Sequence, residues 1–352
     1  MTLLRKSGGF EPAGPDADIT SPDALKTWFD VDVGRIKKAA DCYPMKISPH
    51  FFSLIEGPGD AVWRQVVPDS RELDGNIAWD DPLSEENQSP VPGVIHRYPD
   101  RVLFLVSNQC AVYCRYCMRK RLAGKSFLPS KDVIQDGIAY IRRTPAIREV
   151  LLSGGDPLML GGNVLKDILS SLREIPFVEV LRVHTRVPGA LPHRISRGLA
   201  DMLSRFHPLY INVQFNHPSE LTLESEAACK KLADAGIPLG SQTVLLKGIN
   251  DDPNVLKDLF AGLLKIRVKP YYLHHPDVVK GTDHFRVPVA KGLRIVKSLQ
   301  GRISGMAIPR YMIDLPGGGG KIPLVPEFIR ESRNGMIYVE GFDGKVYAYP
   351  EC

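Results

Sequence analysis

Hydrophobic residues along the middle of the chain fall into two alternating patterns. Short aliphatic and β-branched runs occur at 102–107, 149–153, 178–184, 210–215, 239–246 and 269–274. Between them, apolar residues recur at helical spacing over 130–143, 164–173, 192–205, 223–235 and 254–266. The first kind has the length of a strand, the second the one-sided stripe of an amphipathic helix. Gly236 stops one helix and Pro238 opens the next strand. Strands alternating with helices predict βαβ units and a parallel sheet, hence an α/β fold. Periodicity leaves open whether the sheet is doubly wound or a barrel, complete or partial.

The flanks read differently. Residues 22–39 carry helical spacing, Tyr43-Pro44 interrupts it, and 49–56 resumes a short apolar helix. From 57 to 92 the chain is rich in Pro, Gly and Asp, which predicts an extended crossing segment rather than a packed element. Beyond the sixth strand come a helix at 290–299, an apolar run at 306–313 and a run of glycines ending at Lys321. Alternation over 336–349 around Asp343-Gly344 predicts a small hairpin. There is no internal repeat. The expected organisation is an N-terminal helical and extended region (1–95), the alternating core (96–305) and a C-terminal segment (306–352).

Composition narrows the class. Of 352 residues, 24% are charged and 43% hydrophobic, which excludes a disordered tail protein. Lys and Arg exceed Asp and Glu by only 45 − 40 = 5, without clustering, so nucleic-acid or membrane binding has no support. No stretch reaches the roughly 20 apolar residues of a membrane span. Residues 1–20 lack the apolar core of a signal peptide, so the expectation is a cytoplasmic protein.

Candidate chemistry lies just after the strands, where parallel α/β folds place their functional face. Cys110, Cys114 and Cys117 follow the first strand, while Cys42, Cys229 and Cys352 are scattered. Three thiolates in C-x-x-x-C-x-x-C spacing suffice for three irons of a cubane [4Fe–4S] cluster and leave the fourth iron open. Zinc is the rival, but a closed zinc site wants four ligands. No fourth Cys lies nearby, and the closest His, His96, precedes the strand.

Other motifs are weaker alone. Ser153-Gly154-Gly155-Asp156 is a tight turn or a close backbone approach to a ligand's amine and carboxylate. Gly317 to Lys321 is a flexible loop with a surface lysine, or a Schiff-base lysine on backbone packed against a ring cofactor. Arg97 and Arg101 make a phosphate grip or a solvated approach to a strand. Asp277 and Asp314 are turn residues, or a pair that holds a cationic group. His217 stands at a strand end with site and structural roles open.

Cys110 to Cys117 reads as the radical S-adenosylmethionine pattern. Together with HRYPDR, LLSGGD, FNHP, PYYL, HFR and PGGGGK, in that order, the chain closely resembles lysine 2,3-aminomutases from about Tyr43 onward. The resemblance implies a partial (β/α)6 barrel, a [4Fe–4S] cluster, S-adenosylmethionine and pyridoxal 5′-phosphate (PLP). It implies radical removal of a hydrogen from the substrate's β-carbon and migration of nitrogen from the α- to the β-carbon. It further implies that Cys110, Cys114 and Cys117 ligate the cluster and that Lys321 forms the Schiff base with PLP. By the same resemblance Arg97, Tyr98 and Arg101 belong to the PLP phosphate region, and Gly154, Gly155, Asp156 and Gln242 to the S-adenosylmethionine side. Arg119 faces the substrate carboxylate, and Asp277 and Asp314 grip the lysine ε-ammonium, a pair that would repel glutamate.

Departures accompany the match. The chain stops at Cys352, short of the family's C-terminal Cys cluster, and Asp252 stands where longer members place a Cys of that zinc site. No structural zinc is expected. His274-His275-Pro276 replaces the usual Tyr-Gln-Cys, and Gln214 stands where His is commoner. The expected partners are an amino-acid substrate, an electron donor such as flavodoxin or ferredoxin, and further copies of the chain in a homo-oligomer. Free L-lysine is the first substrate, with β-lysine supply for elongation factor P modification or another amino acid behind it. A nonenzymatic iron–sulfur carrier or regulator would need neither Lys321, Arg97 nor the paired Asp.

Overall fold

The computed structural model describes residues 17–124 and 129–351. Most of the polar N-terminal stretch and Cys352 lie outside the described residues. Nine strands form one sheet in sequence order: β1 (Val94–Tyr98), β2 (Arg101–Ser107), β3 (Glu149–Gly154), β4 (Val180–Thr185), β5 (Leu209–Gln214), β6 (Leu239–Val244), β7 (Lys269–His274), β8 (Arg310–Leu315) and β9 (Gly320–Pro323). Strands β2 to β8 pair in parallel, whereas β1 and β9 run antiparallel at the two edges. The six expected strands are all present. The 306–313 run becomes β8, a seventh parallel strand. Strand β1, expected to be only an approach to β2, is itself paired.

The two edges meet. The Tyr98 hydroxyl of β1 accepts a hydrogen bond from the Lys321 backbone N–H of β9 at 2.8 Å. The sheet is therefore a barrel nearly closed by a side chain rather than by a ladder.

Helices Lys131–Arg142, Gly162–Arg173, Arg197–Ser204, Leu223–Asp234, Pro253–Lys265 and Val289–Leu299 cover the outside. Ser130, Ser196, Thr222 and Asp252 accept backbone hydrogen bonds as N-caps, so four of these helices start where an unsatisfied amide finds a partner. Asp252 thus has a local structural role. Pleating then sorts the strand side chains. Leu181, Val183, Ile211 and Val213 are buried under the helices, while Arg182, His184, Asn212 and Gln214 alternate with them into the barrel.

Two flanking expectations change. The stretch from 57 to 92 is not wholly an extended crossing segment: Trp63–Val66 is a short helix, and Val62, Trp63, Val66 and Val67 are buried. They pack with Phe51, Phe52 and with Ala111 and Val112 of the cysteine loop. At the C-terminus, β11 (Met336–Glu340) and β12 (Val346–Pro350) form the expected hairpin, and β10 (Ile329–Arg333) adds a third strand. Asn334 and Gly335 join β10 to β11 with φ of 52° and 69°. Two left-handed residues make a primed hairpin turn, for which Asn-Gly is a strong sequence signal.

Candidate active site

A cavity of about 680 Å³ occupies the barrel, within the usual range for small-molecule sites. All fourteen candidate positions line it: Arg97, Tyr98, Arg101, Cys110, Cys114, Cys117, Arg119, Gly154, Gly155, Asp156, Gln242, Asp277, Asp314 and Lys321. They do not all come from the carboxyl rim. Arg97, Tyr98 and Arg101 come from the β1–β2 hairpin, and Lys321 from β9, where the sheet edges face each other.

The cysteine loop is clamped by the N-terminal region. The Tyr113 and Arg115 amides donate to the carbonyls of Lys46 and Gln65. Arg115 is buried with Glu72 in a two-pronged pair at 2.9 and 2.6 Å, and Lys120 joins the same carboxylate at 2.6 Å. Burial pushes Lys120 down to about 8 despite Glu72. Among the described residues, no three His, Cys, Asp or Glu side chains converge as they would around a single metal ion. Burial, then neighbouring negative groups, raise the Cys110 thiol well above its ordinary value and Cys117 to about 11. Such thiols become thiolates when a positively charged group coordinates them. Arg186 already donates to Cys114 Sγ at 2.8 Å.

The glycines after β3 serve the protein's own backbone. Gly154 has φ 127°, and a Cβ there would stand 2.1 Å from the Ser107 carbonyl. A Cβ on Gly155 would stand 2.5 Å from the Gln109 carbonyl. The Gly155 and Asp156 amides donate to those same carbonyls at 2.5 and 2.6 Å. The pair therefore seats the loop that leads to Cys110. Asp156 is a brace: it accepts from the Thr185 hydroxyl at 2.8 and 2.9 Å, and from the Arg186 and Leu158 amides at 2.7 and 3.0 Å. Burial raises its pKa against those bonds.

The glycine run before Lys321 is a tight turn, not a flexible loop. Gly317, Gly318 and Gly320 have φ of 67°, 87° and 87°, values at which a side chain is strained. The turn lets β9 fold back on β8 so that Lys321 pairs directly with Asp314. Lys321 Nζ donates to Asp314 and lies 3.4 Å from His274 Nδ1. Arg97 Nη1 is 3.7 Å from the other Asp314 oxygen. Burial, then repulsion from Asp314, push Asp277 up to about 7, although its carboxyl opens on the cavity.

Two lining residues, Glu85 and His184, carried no sequence signal of their own. Glu85 takes Arg119 in a fork at 2.8 and 2.6 Å. His184 is pushed to about 3 by burial and by Arg182, Lys321 and Arg119, so its imidazole is neutral. Burial and Lys321 likewise hold His274 well below its usual range. Gln214 donates to the Tyr116 hydroxyl at 3.1 Å. His217 is absent from the cavity lining and instead caps the turn at Pro218–Glu220.

Comparison with known proteins adds identity to this geometry. Residues 104–259 match the family model of the radical SAM superfamily, and residues 296–352 match that of lysine-2,3-aminomutase. The chain is 47% identical over 321 residues to the L-lysine 2,3-aminomutase of Acetoanaerobium sticklandii, covering 90% of this chain and 77% of that one. It is 47% identical over 330 residues to the enzyme of the same name from Methanococcus maripaludis, covering 92% and 76%. It is also 45% identical over 332 residues to the glutamate 2,3-aminomutase of Clostridioides difficile, covering 94% and 79%. A cysteine triad at the mouth of a nearly closed βα barrel, with matches running through nearly the whole described chain, is the signature of enzymes that use a [4Fe–4S] cluster and S-adenosylmethionine, and the chain belongs to the lysine 2,3-aminomutase family of that superfamily.

Proposed function

We propose that the protein is a PLP-dependent 2,3-aminomutase that interconverts L-lysine and β-lysine. Its relatives include enzymes named for lysine and for glutamate at nearly the same identity, so overall similarity does not select the substrate. The observation that carries the choice is the carboxylate pair. Asp277 and Asp314 face one cavity closely enough for Asp314 to raise Asp277. Asp314 already holds a primary ammonium, that of Lys321. Two carboxylates stabilise a second ammonium and repel a substrate carboxylate.

The residues present fit the implied groups. Three cavity-facing thiols suit three irons of the cluster. Arg97 and Arg101 bring two guanidinium groups, Tyr98 joins them through the Lys321 backbone, and Lys321 supplies an amine on the same wall. When bound, the cluster supplies an electron and an open iron, S-adenosylmethionine the hydrogen-abstracting radical, and PLP a conjugated system that delocalises an unpaired electron.

The chain's own residues divide the remaining work. Lys321 would hold PLP through Nζ. Asp314, 3.7 Å from Arg97, would also meet the substrate's ε-ammonium. Asp277 completes the grip, and Arg119 meets the α-carboxylate. Asp156, spent on Thr185 and Arg186, fixes the β3 and β4 turns beside the S-adenosylmethionine side and Gln242. Neutral His184 and His274 add no cation to compete with the substrate. The barrel wall would limit the access of bulk water to the cavity.

Anaerobic incubation of reconstituted protein with dithionite, S-adenosylmethionine, PLP and L-lysine should yield β-lysine. Cleavage of S-adenosylmethionine with lysine untouched, or turnover of glutamate in its place, would overturn the substrate assignment. It would direct attention to His274, beside Lys321.

A further inference from the structure

One short stretch of chain touches three separate parts of the cavity. Residues 82–88 carry Glu85, which holds Arg119, and Gln88, whose Oε1 accepts from Arg97 Nε at 2.7 Å. The Leu83 carbonyl accepts from Arg97 Nη2 at 3.0 Å. The Pro82 carbonyl accepts from the Gly317 amide at 2.8 Å, at the start of the glycine turn before Lys321. We propose that residues 82–88 are a positioning strap, in which Glu85 aims Arg119 at the substrate carboxylate and Gln88 aims Arg97 at the PLP phosphate. The proposal rests on the substrate and phosphate readings of those two arginines.

An arginine side chain is long and flexible, and its planar head presents five donors in a fixed fork. Unless the head is tied, binding must pay to order it. Glu85 ties Nε and Nη2 of Arg119, leaving Nη1 outside the fork for another carboxylate. The pair is largely buried, with side-chain exposures of 13% and 6%, so it is poorly screened. Glu85 also balances the charge of Arg119, which acts on Asp277 in the same cavity.

Gln88 is held in one orientation. Its Nε2 donates to the carbonyls of Leu83 and Ser84 at 2.7 and 3.0 Å, which forces Oε1 toward Arg97. A flipped amide would turn donors toward a donor. Arg97 is thereby fixed through Nε and Nη2, with Nη1 toward Asp314. The strap also fits the glycine turn closely: a Cβ on Gly318 would stand 2.3 Å from Gln88 Nε2. The turn before Lys321 and the two arginines are thus registered by one segment.

Two single variants separate positioning from general support. Cluster-reconstituted protein is titrated with PLP, read by absorbance and by borohydride trapping at Lys321. PLP-saturated protein without S-adenosylmethionine is then titrated with L-lysine or with 1,5-diaminopentane, which lacks the carboxylate, read by the change in cofactor absorbance. Gln88→Leu should weaken PLP about tenfold, the scale of one charge-assisted hydrogen bond, and leave lysine affinity within about twofold. Glu85→Gln, which puts a donor against the Arg119 fork, should weaken lysine about tenfold and leave both PLP and 1,5-diaminopentane within about twofold. Equal losses of both ligands in both variants, no loss in either, or equal losses of lysine and the diamine in Glu85→Gln would overturn the strap. If the wild-type protein binds neither PLP nor lysine, the functional reading itself fails and the strap falls with it.

Discussion

Replacing Asp277 by Asn tests the electrostatics of the substrate grip most directly. Burial, then Asp314, raise the Asp277 carboxyl from the ordinary 3.8 to about 7. Only the ionised form attracts an ammonium. With a pKa near 7, about one-tenth is ionised at pH 6 and about nine-tenths at pH 8, so lysine affinity should rise about ninefold over that interval. The sign is that of a raised carboxyl: as pH falls through about 7, Asp277 takes up a proton and the ε-ammonium loses a partner. At pH 8 the Asn variant loses a charge-assisted hydrogen bond of roughly 1.5–3 kcal/mol, or about 10- to 150-fold in affinity. Its affinity should also become flat between pH 6 and 8 relative to the wild type.

Stability should move the other way. The folded chain binds the Asp277 proton more tightly than the unfolded chain, so this group destabilises the fold at high pH and ceases to do so as pH falls. At ~1.4 kcal/mol per pH unit, the rise from 3.8 to about 7 is a penalty of at most ~4 kcal/mol. Asp277→Asn should therefore raise Tm at pH 8 in the absence of lysine while weakening lysine binding. The assay is lysine titration of the PLP-loaded protein from pH 6 to 8, paired with thermal unfolding. An Asn variant whose lysine affinity still climbs ninefold with pH would refute the assignment.

Other outcomes follow from the same geometry. Lys321→Ala should keep iron and sulfide content but lose borohydride-trapped PLP and β-lysine formation; retained turnover would remove Lys321 from its proposed role. Gly154→Ala places a Cβ 2.1 Å from the Ser107 carbonyl at φ 127°, so it should cost more than about 2 kcal/mol and lower the iron bound per chain, as unfolding and iron analysis can measure. Glu72→Ala leaves buried Arg115 and Lys120 without their shared carboxylate and should cost about 3–5 kcal/mol in chemical denaturation. A near-neutral result there would mean that water reaches the pair.

Much of this protein was legible in its sequence because the signals were local. Strand and helix alternation depends on periods of two and 3.6 along the chain, and it located all six expected strands. The cysteine triad was equally plain, since three ligands within eight residues need no tertiary knowledge. Lys321, Asp277 and Asp314 stood in the pattern only as open alternatives, and the resemblance gave them their roles. Asn334-Gly335 was a local turn signal that could have revealed β10.

Only the folded chain decided the rest, because it depended on which distant segments meet. Strand β1 exists through its ladder with β2, and β9 through its ladder with β8. Their closure through Tyr98 and Lys321 joins residues 223 positions apart. Gly154 and Gly155 could be read as a turn, but not as seats for the backbone at 107–109. A carboxylate such as Glu85, in a stretch that reads as extended, gains meaning when it faces Arg119 from 34 residues away. The ionisation of Asp277 is the clearest case: an aspartate alone in a sequence is an ordinary acid, and burial beside Asp314 makes it titrate near neutrality.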